Sequence, residues 1–119
     1  MRAAKIDDSQ RELVPWLLAT HGATFQSCAT LGKGAPDGIL GFMGITAVVE
    51  FKTAPPPPKT TRKAPRARKA TRTEEQQALW AAKWRGSPRV ILRTQADCMA
   101  LLNEMHRVSE ALAAVGVRR

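Results

Sequence analysis

Cysteine is scarce: Cys28 and Cys98 are the only two in 119 residues, they lie far apart, and neither sits in a CxxC or Cys/His spacing. That argues against both a disulfide scaffold and a zinc finger. Long apolar runs are missing as well. The longest, Ile39 to Val49, is broken by Gly41 and Gly44 and falls far short of the roughly 20 residues a membrane-spanning helix needs. The opening MRAAKIDDSQ turns acidic early and leads into no apolar signal core, so a cytoplasmic protein is expected. Acids are few too: ten Asp and Glu stand against nineteen Lys and Arg, a formal charge of +9. This excess makes a polyanion the first partner to consider, nucleic acid before an anionic membrane surface. With 44 % hydrophobic and 24 % charged residues, a chain of this length builds one core and buries about 65 % of its unfolded surface. A single domain over residues 1–119 is the expectation.

The cations are unevenly spread. Lys59, Arg62, Lys63, Arg66, Arg68, Lys69 and Arg72 fall between Ala54 and Arg72, together with five of the eight prolines and no acid. Such a composition cannot bury enough apolar surface to offset the entropy of ordering, and four consecutive prolines favour an extended polyproline conformation. The segment 54–72 therefore reads as a mobile basic insert. Its residues Arg62, Lys63, Arg66, Arg68 and Lys69 suit sequence-independent contact with phosphates; the plainer reading is a solvated linker.

Around the insert, periodicity assigns the elements. Leu13, Trp16, Leu17 and Thr20 recur at helical spacing behind a Ser9-x-x-Glu12 capping box, which predicts a helix from Ser9 to His21, closed by Gly22 and strained or kinked by Pro15. ATFQSC reads as a strand. Gly38 to Met43 and Ile45 to Lys52 are apolar and β-branched, with Gly44 between them, the pattern of a hairpin. Thr73 to Gln76 forms another capping box and opens a helix whose Gln77, Trp80, Ala81 and Trp84 share a face. RVILR (Arg89 to Arg93) is a short strand, and Thr94 to Asp97 starts a helix over about 95–115. The order αβββαβα predicts an α/β domain, a central mixed β-sheet flanked by helices.

The chemistry gathers on the hairpin. Residues two apart on a strand point the same way, so Glu50 and Lys52 share a face while Val49 and Phe51 take the other. Asp37, at the start of the neighbouring antiparallel strand and thirteen residues before Glu50, comes beside it. Two adjacent carboxylates repel one another and invite a hard divalent cation, Mg²⁺ or Mn²⁺. The Lys52 ammonium beside them can position water or stabilise charge developing on a phosphodiester. Gln76, three residues after the expected cap Thr73, has a sufficient structural role there; Gln77 does not, and is the expected active-site amide.

At these residues the chain resembles the PD-(D/E)XK nuclease superfamily, and more closely its stand-alone VRR-NUC-like members of phages and bacteria. The resemblance spans roughly Lys5 to Leu102; GKGAPDGILGFMGITAVVEFK (Gly32 to Lys52) is similar to the family's active-site hairpin, and QALWAAKWRG (Gln77 to Gly86) to its following helix. It implies a restriction-endonuclease-like core, Asp37 and Glu50 as carboxylate ligands of Mg²⁺ or Mn²⁺ with the Phe51 carbonyl as a further ligand, and Lys52 as the catalytic lysine. It also implies an acidic residue on the first helix near the metal. Asp7 is the nearest match, with Asp8 and Glu12 as competitors.

Other signals are weaker. Lys33 stands between Gly32 and Gly34 without a phosphate-binding loop motif, so it reads as a loop cation near phosphate. His21 and His106 are isolated and read as helix-end or surface residues. Trp80 and Trp84 at helical spacing read as core rather than as a stacking platform for bases. Cys98, Leu101, Met105, Val108, Leu112 and Val115 form a stripe that covers the sheet or pairs subunits. Together these features predict a metal-dependent endonuclease acting on DNA, selective for branched or junction structures, and working as a homodimer. The competing readings are a non-catalytic nucleic-acid-binding protein and an accessory subunit of a phage or bacterial DNA-processing complex.

Overall fold

The computed structural model describes residues 8–53 and 71–117. Along the chain run α1 (Asp8–His21), β1 (Thr24–Ser27), β2 (Gly38–Phe42), β3 (Ile45–Phe51), α2 (Arg72–Lys83), β4 (Arg89–Leu92) and α3 (Gln95–Ala114). This is the expected αβββαβα order. The four strands form one mixed sheet in the order β1-β2-β3-β4. The first three make an antiparallel meander, and β4 joins β3 in parallel. A parallel neighbour needs a crossover connection rather than a tight turn, and the stretch carrying α2 supplies it.

Two residues close the β2–β3 hairpin. Met43 and Gly44 both have positive φ, 52° and 79°, the mirror-image turn whose twist matches that of the flanking strands. The strand expected to reach Met43 therefore ends at Phe42, because Met43 is spent on the turn. On β3, Ala47, Val49 and Phe51 face the core while Val48 and Glu50 occupy the opposite face, and all five are buried.

One face of the sheet carries the core. Leu40, Ala47, Val49, Phe51 and Leu92 meet Leu13 and Leu17 from α1 and Cys98, Leu102 and Met105 from α3. The rings of Phe25 and Phe51 pack edge to face across this layer, 5.8 Å apart. In α3 the buried line is Cys98, Leu102, Met105 and Ser109, the i, i+4, i+7, i+11 spacing of a straight helix lying on a sheet. The predicted stripe thus covers the sheet through its first half and runs out to solvent at Val115. Its cap is as expected: Thr94 and Asp97 close a reciprocal capping box.

Three local expectations need correction. Ser9 is no cap: Asp8 is already helical, and Ser9 is buried inside α1. Pro15 leaves α1 continuous, and its exposed position lets solvent satisfy the carbonyl its ring leaves without a donor. The cap of α2 is Thr71, not Thr73. Thr71 is extended and its hydroxyl accepts the Glu74 N–H at 3.1 Å, so the T-x-x-E spacing is met two residues earlier than expected. The last two residues of the predicted insert, Thr71 and Arg72, thereby belong to α2. Among the described residues no helix is long and apolar enough to cross a membrane.

Candidate metal and phosphodiester site

The hairpin register builds the site. Gly38 pairs with Val49, so Asp37, one residue earlier, arrives beside Glu50. The two are then locked together by backbone hydrogen bonds. The Asp37 N–H donates to Glu50 Oε2 at 3.2 Å, and the Phe51 N–H donates to Asp37 Oδ2 at 2.6 Å. Glu50 is the most buried polar residue among the described residues, 4 % exposed. Burial first, and then the Asp37 carboxylate, raise its pKa above the usual glutamate value, while Arg89 and Lys52 pull the other way.

Its other oxygen faces α2. Gln77 Nε2 donates to Glu50 Oε1 at 2.7 Å, and the amide oxygen of Gln77 accepts from Lys52 Nζ at 3.3 Å. Lys52 Nζ also lies 3.6 Å from Glu50 Oε1. Each end of the amide thus meets the partner its polarity requires, and turning it over would break both contacts. Gln77 is therefore the glutamine that reaches the hairpin. The reason differs from the capping argument, since Thr71 frees Gln76 from that duty; Gln76 lines the same cavity.

Asp37, Glu50, Phe51, Lys52, Gln77 and the loop cation Lys33 line one open cavity of about 350 Å³. Lys33 is exposed, with a left-handed φ of 52° between Gly32 and Gly34, which are left-handed too. Phe51 touches Asp37 through its N–H, and its ring is buried on the far side of the strand. Asp7 and the basic residues Arg62, Lys63, Arg66, Arg68 and Lys69 lie outside the described residues. Of the competitors to Asp7, both Asp8 and Glu12 are exposed on α1.

Arg89 was missed by the sequence reading. It sits on β4 in register with Val48, which places it on the Glu50 face of the sheet. Its Nη1 is 3.6 Å from Glu50 Oε2, its Nη2 donates to the Gly34 carbonyl at 2.6 Å, and its guanidinium lies 4.8 Å from the centre of the Trp80 ring. Only 10 % of this side chain is exposed. The sole available signal was the alternation Arg89, Ile91 in RVILR, and it says nothing until the parallel register is known.

The tryptophans are not core. No residue of α2 is buried, and Trp84 is 45 % exposed. The two indoles stack on each other, 5.0 Å apart and 19° from parallel. Trp84 Nε1 donates to the Ser87 carbonyl at 2.8 Å, which ties the end of α2 to the turn leading into β4. Spacing by four residues satisfies a stack as well as it satisfies a core, which is why the pattern misled.

The donor set fits a hard divalent cation. Two carboxylates held side by side in an open cavity match the one or two that Mg²⁺ or Mn²⁺ takes from protein, the remaining positions going to water and phosphate oxygens. Among the described residues no group of three or more His, Cys, Asp or Glu is placed to hold a metal ion. Comparison with protein-family models, curated proteins and solved structures finds no match for the chain.

Proposed function

We propose that the chain is a metal-dependent endonuclease with a restriction-endonuclease-like core, hydrolysing phosphodiester bonds of DNA with Mg²⁺ or Mn²⁺. The observation that carries this reading is the convergence of Asp37, Glu50, Lys52 and Gln77 on one cavity, from two strands and a helix. Asp37 and Glu50 would hold the cation, with the Phe51 carbonyl as a further ligand by resemblance. Once bound, such an ion polarises a phosphoryl oxygen and lowers the pKa of bound water. Lys52 directs its ammonium toward the negative charge that develops on the phosphate, and Gln77 fixes where that ammonium points. Lys33 at the rim, and Arg62, Lys63, Arg66, Arg68 and Lys69 in the basic insert, would contact flanking phosphates whatever the base sequence. The reading extends to substrates chosen by shape, such as branched or junction DNA. Cutting both strands takes two sites, so a two-fold homodimer is the economical assembly.

The test is incubation of the protein with linear, flapped and four-way junction DNA and either metal, beside a Glu50→Gln control. Cleavage that needs metal and disappears in the control supports the reading. Retained binding without cleavage under either metal would leave a non-catalytic DNA-binding protein or accessory subunit. Sedimentation at micromolar concentration, free and on DNA, checks the dimer.

A further inference from the structure

Helix α2 delivers Gln77 to the site, yet among the described residues it has no hydrophobic anchor. None of its twelve residues is buried, and Leu79 and Trp84 face solvent. Something else must hold it in place, because an amphipathic face packed on the core is what normally fixes a helix in a protein. Besides the bonds of the Gln77 amide itself to Glu50 and Lys52, the described contacts that seat it converge on one side chain. Arg89 stacks on Trp80, which stacks on Trp84, which is tied to Ser87. Its guanidinium also grips the carbonyl of Gly34, the residue whose backbone touches α2: a Cβ built there would come 2.1 Å from the Gln76 carbonyl oxygen. The third partner of the same fork is Glu50.

We infer that Arg89 is a positioning residue: through the Trp80 stack and the Gly34 carbonyl it seats α2 on the sheet, and so places the Gln77 amide between Lys52 and Glu50. This deepens the endonuclease reading and, for its catalytic part, rests on it. The requirement is for a guanidinium and not merely a cation. Only a flat, multiply donating group can lie on an indole, bond a carbonyl and face a carboxylate at once. An ammonium offers charge without the plane. Trp80 is thus engaged by both Arg89 and Trp84.

The tryptophans make the seating measurable without any substrate. In a Trp16→Phe background the two remaining indoles are Trp80, on α2, and Trp84, its C-cap. There, Arg89→Met should raise acrylamide quenching of their emission at least about twofold, with unchanged far-ultraviolet circular dichroism, as α2 loosens from a folded sheet. Arg89→Lys should resemble Arg89→Met rather than the parent. Trp80→Leu, which keeps the arginine, should expose Trp84 in the same way and serves if the arginine variants fold poorly. In the cleavage assay Arg89→Met should lower kcat about tenfold or more on the parent but less than about threefold once Gln77 is Ala, the mark of a residue acting through another. KM for DNA should stay within about twofold in both backgrounds. Parental quenching in Arg89→Met and Trp80→Leu, full function in Arg89→Lys, or kcat losses that multiply in the double variant would each overturn the inference. A parent that cleaves no DNA would sink the endonuclease reading alone, and quenching would still decide the seating.

Discussion

Replacing Gly34 by Ala probes the site through a single methyl group. Gly34 has φ +78°, where an L-residue costs about 1–2 kcal/mol. The added Cβ would meet Gln76 O at 2.1 Å, Gln76 C at 2.3 Å and Gln77 N at 2.6 Å. All three are backbone atoms, so no side chain can swing aside. Reaching ordinary contact at 3.4 Å needs about 1.3 Å of separation. The loop is pinned, since Arg89 holds the Gly34 carbonyl, whereas α2 buries nothing. The helix should therefore be the part that yields. A movement of that size takes the 2.7 Å bond from Gln77 to Glu50 out of hydrogen-bonding range, and a misplacement of about 1 Å can lower a rate about 100-fold. Gly22→Ala is the matched control. It has φ +68° and nothing within 4 Å of its Cβ, so it carries the backbone strain without the collision. Both variants should lose about 1–2 kcal/mol in chemical denaturation, but only Gly34→Ala should lose kcat. A Gly34→Ala protein that cleaves at the parental rate, or a Gly22→Ala protein that fails equally, would refute the argument.

Three other outcomes follow from the same geometry. Glu50→Gln should abolish metal-dependent cleavage and Mn²⁺ binding by calorimetry while the fold persists. Glu50→Ala should in addition cost about 3 kcal/mol in chemical denaturation, because it strands the buried Arg89 guanidinium without its carboxylate. Burial and Asp37 raise Glu50 above its ordinary value, so its contribution to stability is fully present below the unfolded-state value, about 4.3, and is lost as pH rises through the higher folded-state value. Metal binding runs the opposite way, needing the carboxylate: Mn²⁺ affinity should decline on acidification before ordinary glutamates protonate, and equal affinity throughout mild acid would count against Glu50 as a ligand. Replacing Arg62, Lys63, Arg66, Arg68 and Lys69 by Gln or Ser should flatten the salt dependence of DNA binding, whose slope is about −0.9 per phosphate contacted on duplex DNA; an unchanged slope would make the insert a linker.

Much of the hairpin was legible because its signals are local. The alternation along ITAVVEF, the Gly44 turn and the thirteen-residue interval from Asp37 to Glu50 fix which side chains meet once an antiparallel register is assumed, and the register is the assumed one. Capping chemistry was legible in kind but ambiguous in place. Thr71 and Thr73 both precede Glu or Gln by three residues, and local pattern cannot rank them; the helix takes the earlier one. Arg89 was illegible for a different reason. Its position opposite Val48 comes from a parallel pairing across the α2 crossover, a long-range choice that RVILR does not encode by itself.

The tryptophan pair shows how the two kinds of information meet. Hydrophobic spacing on α2 suggested a helix packed into the core, yet the sheet's core face is already filled by α1 and α3, with Leu13, Leu17, Cys98, Leu102 and Met105 covering it. The remaining helix lies against the other face, the one that bears Glu50, Arg89 and Lys52. Where the helix meets that face it meets charged groups, and an aromatic side chain can associate with them by lying on a guanidinium. Trp80 does so. The consequence is that the helix carrying Gln77 is seated by a charge that borders the site: losing the Arg89 guanidinium removes the seat of the helix, whereas Glu50→Gln leaves a hydrogen-bonding side chain beside it. The seating of α2 and the chemistry should therefore be lost together at Arg89 and prove separable at Lys52, which is half-buried and lies at the edge of the cavity.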